Sequence, residues 1–171
     1  RLVQLSSSIP ERNLDGVGFS WPRLQVVRER QDVFEEMSAA APVAFTLTGG
    51  DNPEQLIGQQ VTHNHFSLLG FQPALGRGFL PEDDRPGAAP VVVLSHALWQ
   101  RHFGGRPDAI GQALQLDGRP HTVIGVMPQS LSVFPLEQVQ AWTARPEAVP
   151  YLVPAQIDGG GFFFNVLARL R

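Results

Sequence analysis

The sequence predicts an α+β fold with mixed sheets, and three observations carry that reading. Several separated stretches alternate apolar and polar residues with the period of two that marks a half-buried strand. Two other stretches carry helical stripes that open on serine caps. The dipeptide Asp117-Gly118 stands between two alternating segments, which is the signal of a tight type I′ hairpin.

Taken in order, "RLVQLSS" alternates as a short strand, and "PERNLDGVG" is a loop rich in turn formers. Ser20 caps a helix with Pro22 in its first turn, and Leu24, Val27, Phe34 and Met37 extend its apolar stripe through "SWPRLQVVRERQDVFEEMSAA". "VAFTLTGGDNPEQLIGQQVT" gives two strands around a Gly-Gly-Asp-Asn turn, and "HNHFSLLG" a short helix ending at Gly70. After the turn-dense "FQPALGRGFLPEDDRPGAAP", the run "VVVLS" suits a buried strand and "SHALWQRHFGG" a helix capped by Ser95 and stopped by Gly104. With the Asp117-Gly118 hairpin in "QALQLDGRPHTVIGVM", residues 75 to 127 form a compact α/β unit. Prolines then punctuate a connector in which only "VQAWTA" reads as a strand. In the last segment Phe162, Phe164, Val166, Ala168 and Leu170 share one strand face.

Composition removes several function classes. All 13 basic residues are arginine, so there is no Walker A lysine for a nucleotide phosphate and no Schiff-base amine. Cysteine is absent, which removes thiol catalysis, disulfides and thiolate zinc sites. A net charge of −3 gives no electrostatic reason for a nucleic-acid partner.

The ionisable residues that invite a catalytic reading have structural ones. Glu82, Asp83 and Asp84 sit between Pro81 and Arg85-Pro86-Gly87, where short acids accept hydrogen bonds from nearby backbone N–H groups, and their spacing lacks the regular pattern of a hard-cation loop. His96 and His102 are six apart on one helix and off the i,i+4 spacing of a metal pair. His63 and His65 would face the same way on a strand, yet no third ligand accompanies them. No G-x-S-x-G elbow or G-x-G-x-x-G loop is present. Trp99, with Leu98 and Phe103, is assigned to the core, pressed on the "VVVL" strand. No catalytic, cofactor-binding or metal-binding residue is therefore assigned, and a non-enzymatic domain is expected.

The ordered motifs "LTGG", "HFSLLG", "PALGRGF", "EDD", "VVVLSHALWQRHFGG" and "DGRPHTVIGVMP", resumed at "FNVLARLR", closely resemble the periplasmic core domain of MacB-like ABC transporter permeases, especially the duplicated orphan permeases of acidobacteria. The resemblance implies a porter-like βαβ-rich part at residues 1–74 and 160–171, a small α/β subdomain inserted at residues 75–145, and a connector at residues 146–159. It places the chain at the periplasmic face of the bacterial inner membrane, between the first two membrane helices of a permease. Its implied partners are those flanking helices, a cytoplasmic ABC ATPase acting indirectly, and a second permease copy or a periplasmic adaptor. Further chain beyond Arg171 is also implied, to cover the porter-like sheet. The implied role is transmission of conformational change without catalysis. The alternatives are a periplasmic ligand- or partner-binding module and a metal-dependent hydrolase.

Overall fold

The computed structural model describes residues 1–131, 138–148, 153, 155–156 and 164–171. One mixed sheet dominates, and its strands are β1 (Leu2–Leu5), β4 (Phe34–Thr48), β5 (Glu54–Val61), β6 (Leu75–Gly76), β7 (Val91–Leu94), β8 (Ala113–Leu116), β9 (Arg119–Val126), β10 (Ala141–Ala144) and β11 (Asn165–Leu170). A separate hairpin of β2 (Ser7–Ile9) and β3 (Leu14–Val17) lies where a loop is expected from the turn formers. The helices are α1 (Trp21–Arg30), α2 (His65–Leu69) and α3 (His96–Phe103). The α+β class with mixed sheets is what the sequence predicts.

Strand order runs β1-β11-β4-β5-β10-β7-β9-β6, with β8 paired to both β4 and β9. That double pairing closes β4, β5, β10, β7, β9 and β8 into a six-stranded barrel. The closure depends on the hairpin turn: Asp117 at φ 51 and Gly118 at φ 74 occupy the two left-handed positions of a type I′ turn. Asp117 also donates its N–H to the Thr46 carbonyl (2.9 Å), and its Oδ1 accepts the Thr46 N–H (2.8 Å). Phe45, Leu56, Leu94, Leu114, Leu116 and Val123 pack together inside the barrel, with Leu98 and Phe103 of α3 joining the same cluster. Phe45 lies flat on Gly58, where a Cβ would come within 2.3 Å of the ring, so this pair alternates large and small across β4 and β5 as narrow barrels require.

The rest of the sheet is open. β11 is held between β1 and β4, both antiparallel. α1 covers this part, with Leu24, Phe164, Val166 and Ala168 fully buried beneath it. A third cluster joins Phe66 of α2 to Trp142 of β10, their rings 5.3 Å apart, on the outer side of the barrel wall.

Two expectations need correction. The helical stripe does not continue to Met37: α1 ends at Arg30, and Phe34 and Met37 belong to a 15-residue strand. Strand pairing with β11 overrides the local pattern there. Trp99 is only half-buried at the rim of the barrel core, with its Nε1 donating to the Arg106 carbonyl (2.9 Å), while Leu98 and Phe103 fill the interior. Phe162 and Phe163 lie outside the described residues.

Candidate functional site

Two polar clusters fasten the barrel and the open sheet to the loops around them. The first is centred on Asp84, the last residue of a 3-10 turn (Pro81–Asp84). One carboxylate oxygen accepts the His63 backbone N–H (2.9 Å) and the His63 Nδ1–H (3.0 Å), and the other accepts the Arg145 backbone N–H (3.0 Å). His63 follows the end of β5 and Arg145 follows the end of β10, so one side chain clasps two neighbouring strand ends. Arg145 stands at φ 67, a conformation L-residues adopt at a cost, and the Asp84 bond holds it there. Its guanidinium Nε reaches Glu147 at 3.2 Å. Arg28 of α1 donates to the Met37 carbonyl (3.0 Å); burial pulls its pKa down, and the carboxylates of Asp84 and Glu147 push it back up. Arg28, Glu36, His63, Asn64 and Asp84 line a cleft of 270 Å³ at this junction.

Asp83 next to it accepts the Leu80 N–H (2.8 Å) and pairs with Arg77 (2.7 Å). Asp83 thus accepts a nearby backbone N–H, the role its turn setting predicts, whereas Asp84 accepts from His63 and Arg145, partners distant in the sequence.

The second cluster is a buried chain. His65 Nδ1 is 2.8 Å from Ser38 Oγ, which is 3.1 Å from Thr62 Oγ1; Thr62 Oγ1 in turn is 2.9 Å from Asn64 Oδ1 and accepts the Ala39 N–H. Asn64 Nδ2 donates to the Met37 carbonyl, which leaves its Oδ1 as acceptor for the threonine proton. Each hydroxyl has one proton, so the order is fixed: Thr62 donates to Asn64, Ser38 to Thr62, and His65 Nδ1–H to Ser38. Nε2 of His65 is left as a buried lone pair without a partner among the described residues. Desolvation lowers the pKa of this imidazole to about 4, so the ring is neutral.

His63 and His65 therefore do not share a strand face. His63 lies in a turn with its side chain 38% exposed, whereas His65 opens α2 and is sealed in the core. His96 stacks edge-on against Trp99 (5.4 Å) and His102 against Phe103 (4.8 Å). Among the described residues no three His, Asp or Glu side chains are grouped to hold a metal ion. Sequence reasoning missed Arg145, Ser38 and Thr62. Ser38 alone carried a signal, as a hydroxyl inside the small apolar run "MSAAA".

A sequence profile described as the MacB-like periplasmic core domain matches residues 2–163. The chain belongs to that family. The fold agrees: the periplasmic region of MacB from Actinobacillus actinomycetemcomitans superposes with a TM-score of 0.67 at 17% identity, covering 99% of this chain and 73% of that one. The extracellular domain of the noncanonic ABC-type transporter YknZ from Gram-positive bacteria gives 0.66 at 16% identity, with 99% and 82% covered. Among curated proteins, the pyoverdine export ATP-binding/permease protein PvdT of Pseudomonas syringae pv. tomato is 34% identical over 65 residues, 38% of this chain and 10% of that protein. The chain thus spans about a tenth of the length of the curated relatives it matches. A MacB-like periplasmic core domain is the extracytoplasmic part of a transporter permease, and no helix among the described residues is long and apolar enough to cross a membrane.

Proposed function

We propose that this MacB-like domain is the non-catalytic, periplasmic part of an ABC transporter permease at the bacterial inner membrane, and that it transmits movement between the membrane helices that flank it and the periplasm. ATP is hydrolysed by a separate cytoplasmic ATPase subunit or domain. A second permease copy or a periplasmic adaptor receives the movement at the far side. The observation that carries this reading is the match of the MacB-like periplasmic core domain profile over residues 2–163, together with a fold shared with the periplasmic region of MacB.

The porter-like part (residues 1–74 and 160–171) and the inserted part (residues 75–145) act here as two bodies joined through β4 and β5. The Asp84 clasp spans them, since it ties His63 of the first to Arg145 at the end of the second. Movement then takes the form of a hinge or shear between packed layers.

The test is made in the full permease with its ATPase. Asp84→Ala should leave ATP hydrolysis within about twofold of normal and lower export by about tenfold or more, the mark of uncoupling. Unchanged export with the clasp removed would refute the transmission role assigned to it.

A further inference from the structure

The lower end of the barrel interior is not apolar. Side chains that face inward alternate along each strand. On β5 the inward series is Leu56, Gly58 and Gln60; on β10 it is Ala141 and Thr143; on β9 it is Val123, His121 and Arg119. The first members of each series build the core, and the last open onto a cavity of 160 Å³ bounded by Pro90 and Arg145. Gln60 and Thr143 are direct register partners on parallel strands and are 8% and 5% exposed. Among the described residues neither Gln60 Oε1 nor Thr143 Oγ1 has a hydrogen-bond partner, although a buried polar atom left unpaired is costly.

Neighbouring groups fix the polarity of the unpaired atoms. Gln60 Nε2 faces the Arg145 carbonyl (3.5 Å), so its Oε1 is the free group and can only accept. His121 Nδ1 is 3.0 Å from the Arg119 carbonyl, which must receive a proton, so Nδ1 carries it and Nε2 is an acceptor. Burial lowers the pKa of His121 and so favours this neutral ring. Thr143 can both donate and accept. The cavity therefore calls for hydrogen-bond donors, which hydroxyl groups supply while also accepting from Thr143. Its charges are also unbalanced: Asp83 is taken by Arg77 and Arg145 by Glu147, while Arg119 at the rim has no ion pair among the described residues.

From this arrangement we infer that the barrel mouth binds a small polyhydroxylated anion of the sugar-acid type, with hydroxyls directed to Gln60, Thr143 and His121 and the acidic group at Arg119. The mouth of a closed barrel is a common place for a ligand. The inference goes beyond the transmission role and stands or falls separately from it.

Calorimetry and thermal melts of the protein with glucuronate, glucose and acetate test it. Glucuronate should bind saturably and raise the melting temperature, glucose should bind about tenfold more weakly, and acetate should have no effect, since each lost charge-assisted or paired contact is worth roughly a decade in affinity. Thr143→Val and Gln60→Leu should each weaken glucuronate at least about tenfold, and Thr143→Val should do so without lowering the melting temperature of the unliganded protein, because its Oγ1 has no partner among the described residues. Arg119→Gln should bring glucuronate down to the level of glucose. No saturable response to glucuronate, an equal response to acetate, or undiminished binding in Thr143→Val would each overturn the inference and leave a cavity that holds water only.

Discussion

Removing the Asp84 carboxylate should destabilise the domain by about 2–4 kcal/mol, most of it from two backbone N–H groups. Hydrogen bonds to an ionised acceptor contribute about 1.5–3 kcal/mol each when the donor would otherwise be stranded. Asp84 makes two of these, to His63 at 2.9 Å and Arg145 at 3.0 Å. The His63 imidazole adds little: with side-chain exposures of 38% and 19%, solvent screens that pair to at most about 1 kcal/mol. The contributions do not add fully, because a relaxed turn lets water reach one of the freed donors. Urea denaturation of the Asp84→Ala and Asp84→Asn variants measures the loss, and the asparagine should retain about half the stability, since it keeps one acceptor oxygen. Arg145→Gly supplies an internal control. Glycine accepts the φ of 67 without strain, so it should recover about 1 kcal/mol in the Asp84→Ala background. A loss below about 1 kcal/mol in Asp84→Ala would refute the view that this residue clasps the two strand ends.

Further outcomes follow from other sites. His65 has its pKa lowered to about 4 in the folded state against 6.5 as a free side chain, so the unfolded chain binds the proton first. Stability should therefore fall by about 3 kcal/mol as pH drops from about 6.5 to about 4, and His65→Asn should flatten that part of a denaturation-versus-pH profile; an unchanged slope would contradict the assignment. Gly58→Ala should cost about 1–3 kcal/mol, because its Cβ would approach the Phe45 ring to 2.3 Å, and Gly58→Ala with Phe45→Leu should recover part of the loss. Trp99→Ala should cost about 2–3 kcal/mol, below a full core truncation, as suits a half-buried ring with one hydrogen bond; a loss under about 1 kcal/mol would free the residue for partner contact. Elemental analysis should find zinc well below one per chain, with melting unchanged by a chelator, whereas stoichiometric zinc lost on His63→Ala would restore the metal reading.

Much of the fold is legible in the residues because short-range chemistry decides it. Ser95 accepts the Leu98 N–H (3.1 Å) as its cap position predicts, Asp117-Gly118 turns as its backbone preferences demand, and Phe164, Val166 and Ala168 are buried along one strand face. What could not be read depends on distant partners. Phe34 and Met37 fit a helical period, and only pairing with β11, more than a hundred residues further on, makes them strand. The same holds for the barrel, which closes through two pairs between β4 and β8, Leu47 with Leu116 and Thr48 with Gln115, and leaves no local trace. The polar sites divide along the same line. Asp83 and Asp84 announce themselves as turn residues in sequence. Gln60 and Thr143 look like ordinary strand residues until parallel pairing sets them side by side.

β4 gives the molecule something neither half could supply alone. Its 15 residues run as one strand from the β11 sheet into the barrel wall, about 50 Å at 3.3 Å per residue. Bonded to β11 along one edge as far as Ala40 and to β5 along the other from Ala40 onward, such a ribbon resists stretching far more than it resists bending. It is a stiff arm with its pivot near Ala40, where β11 and β5 hand over to each other. A tilt of about ten degrees applied beneath α1 would sweep the far tip, at Thr48 and the Asp117-Gly118 turn, through several ångströms, turning a small rotation near the base into a large displacement at a distance.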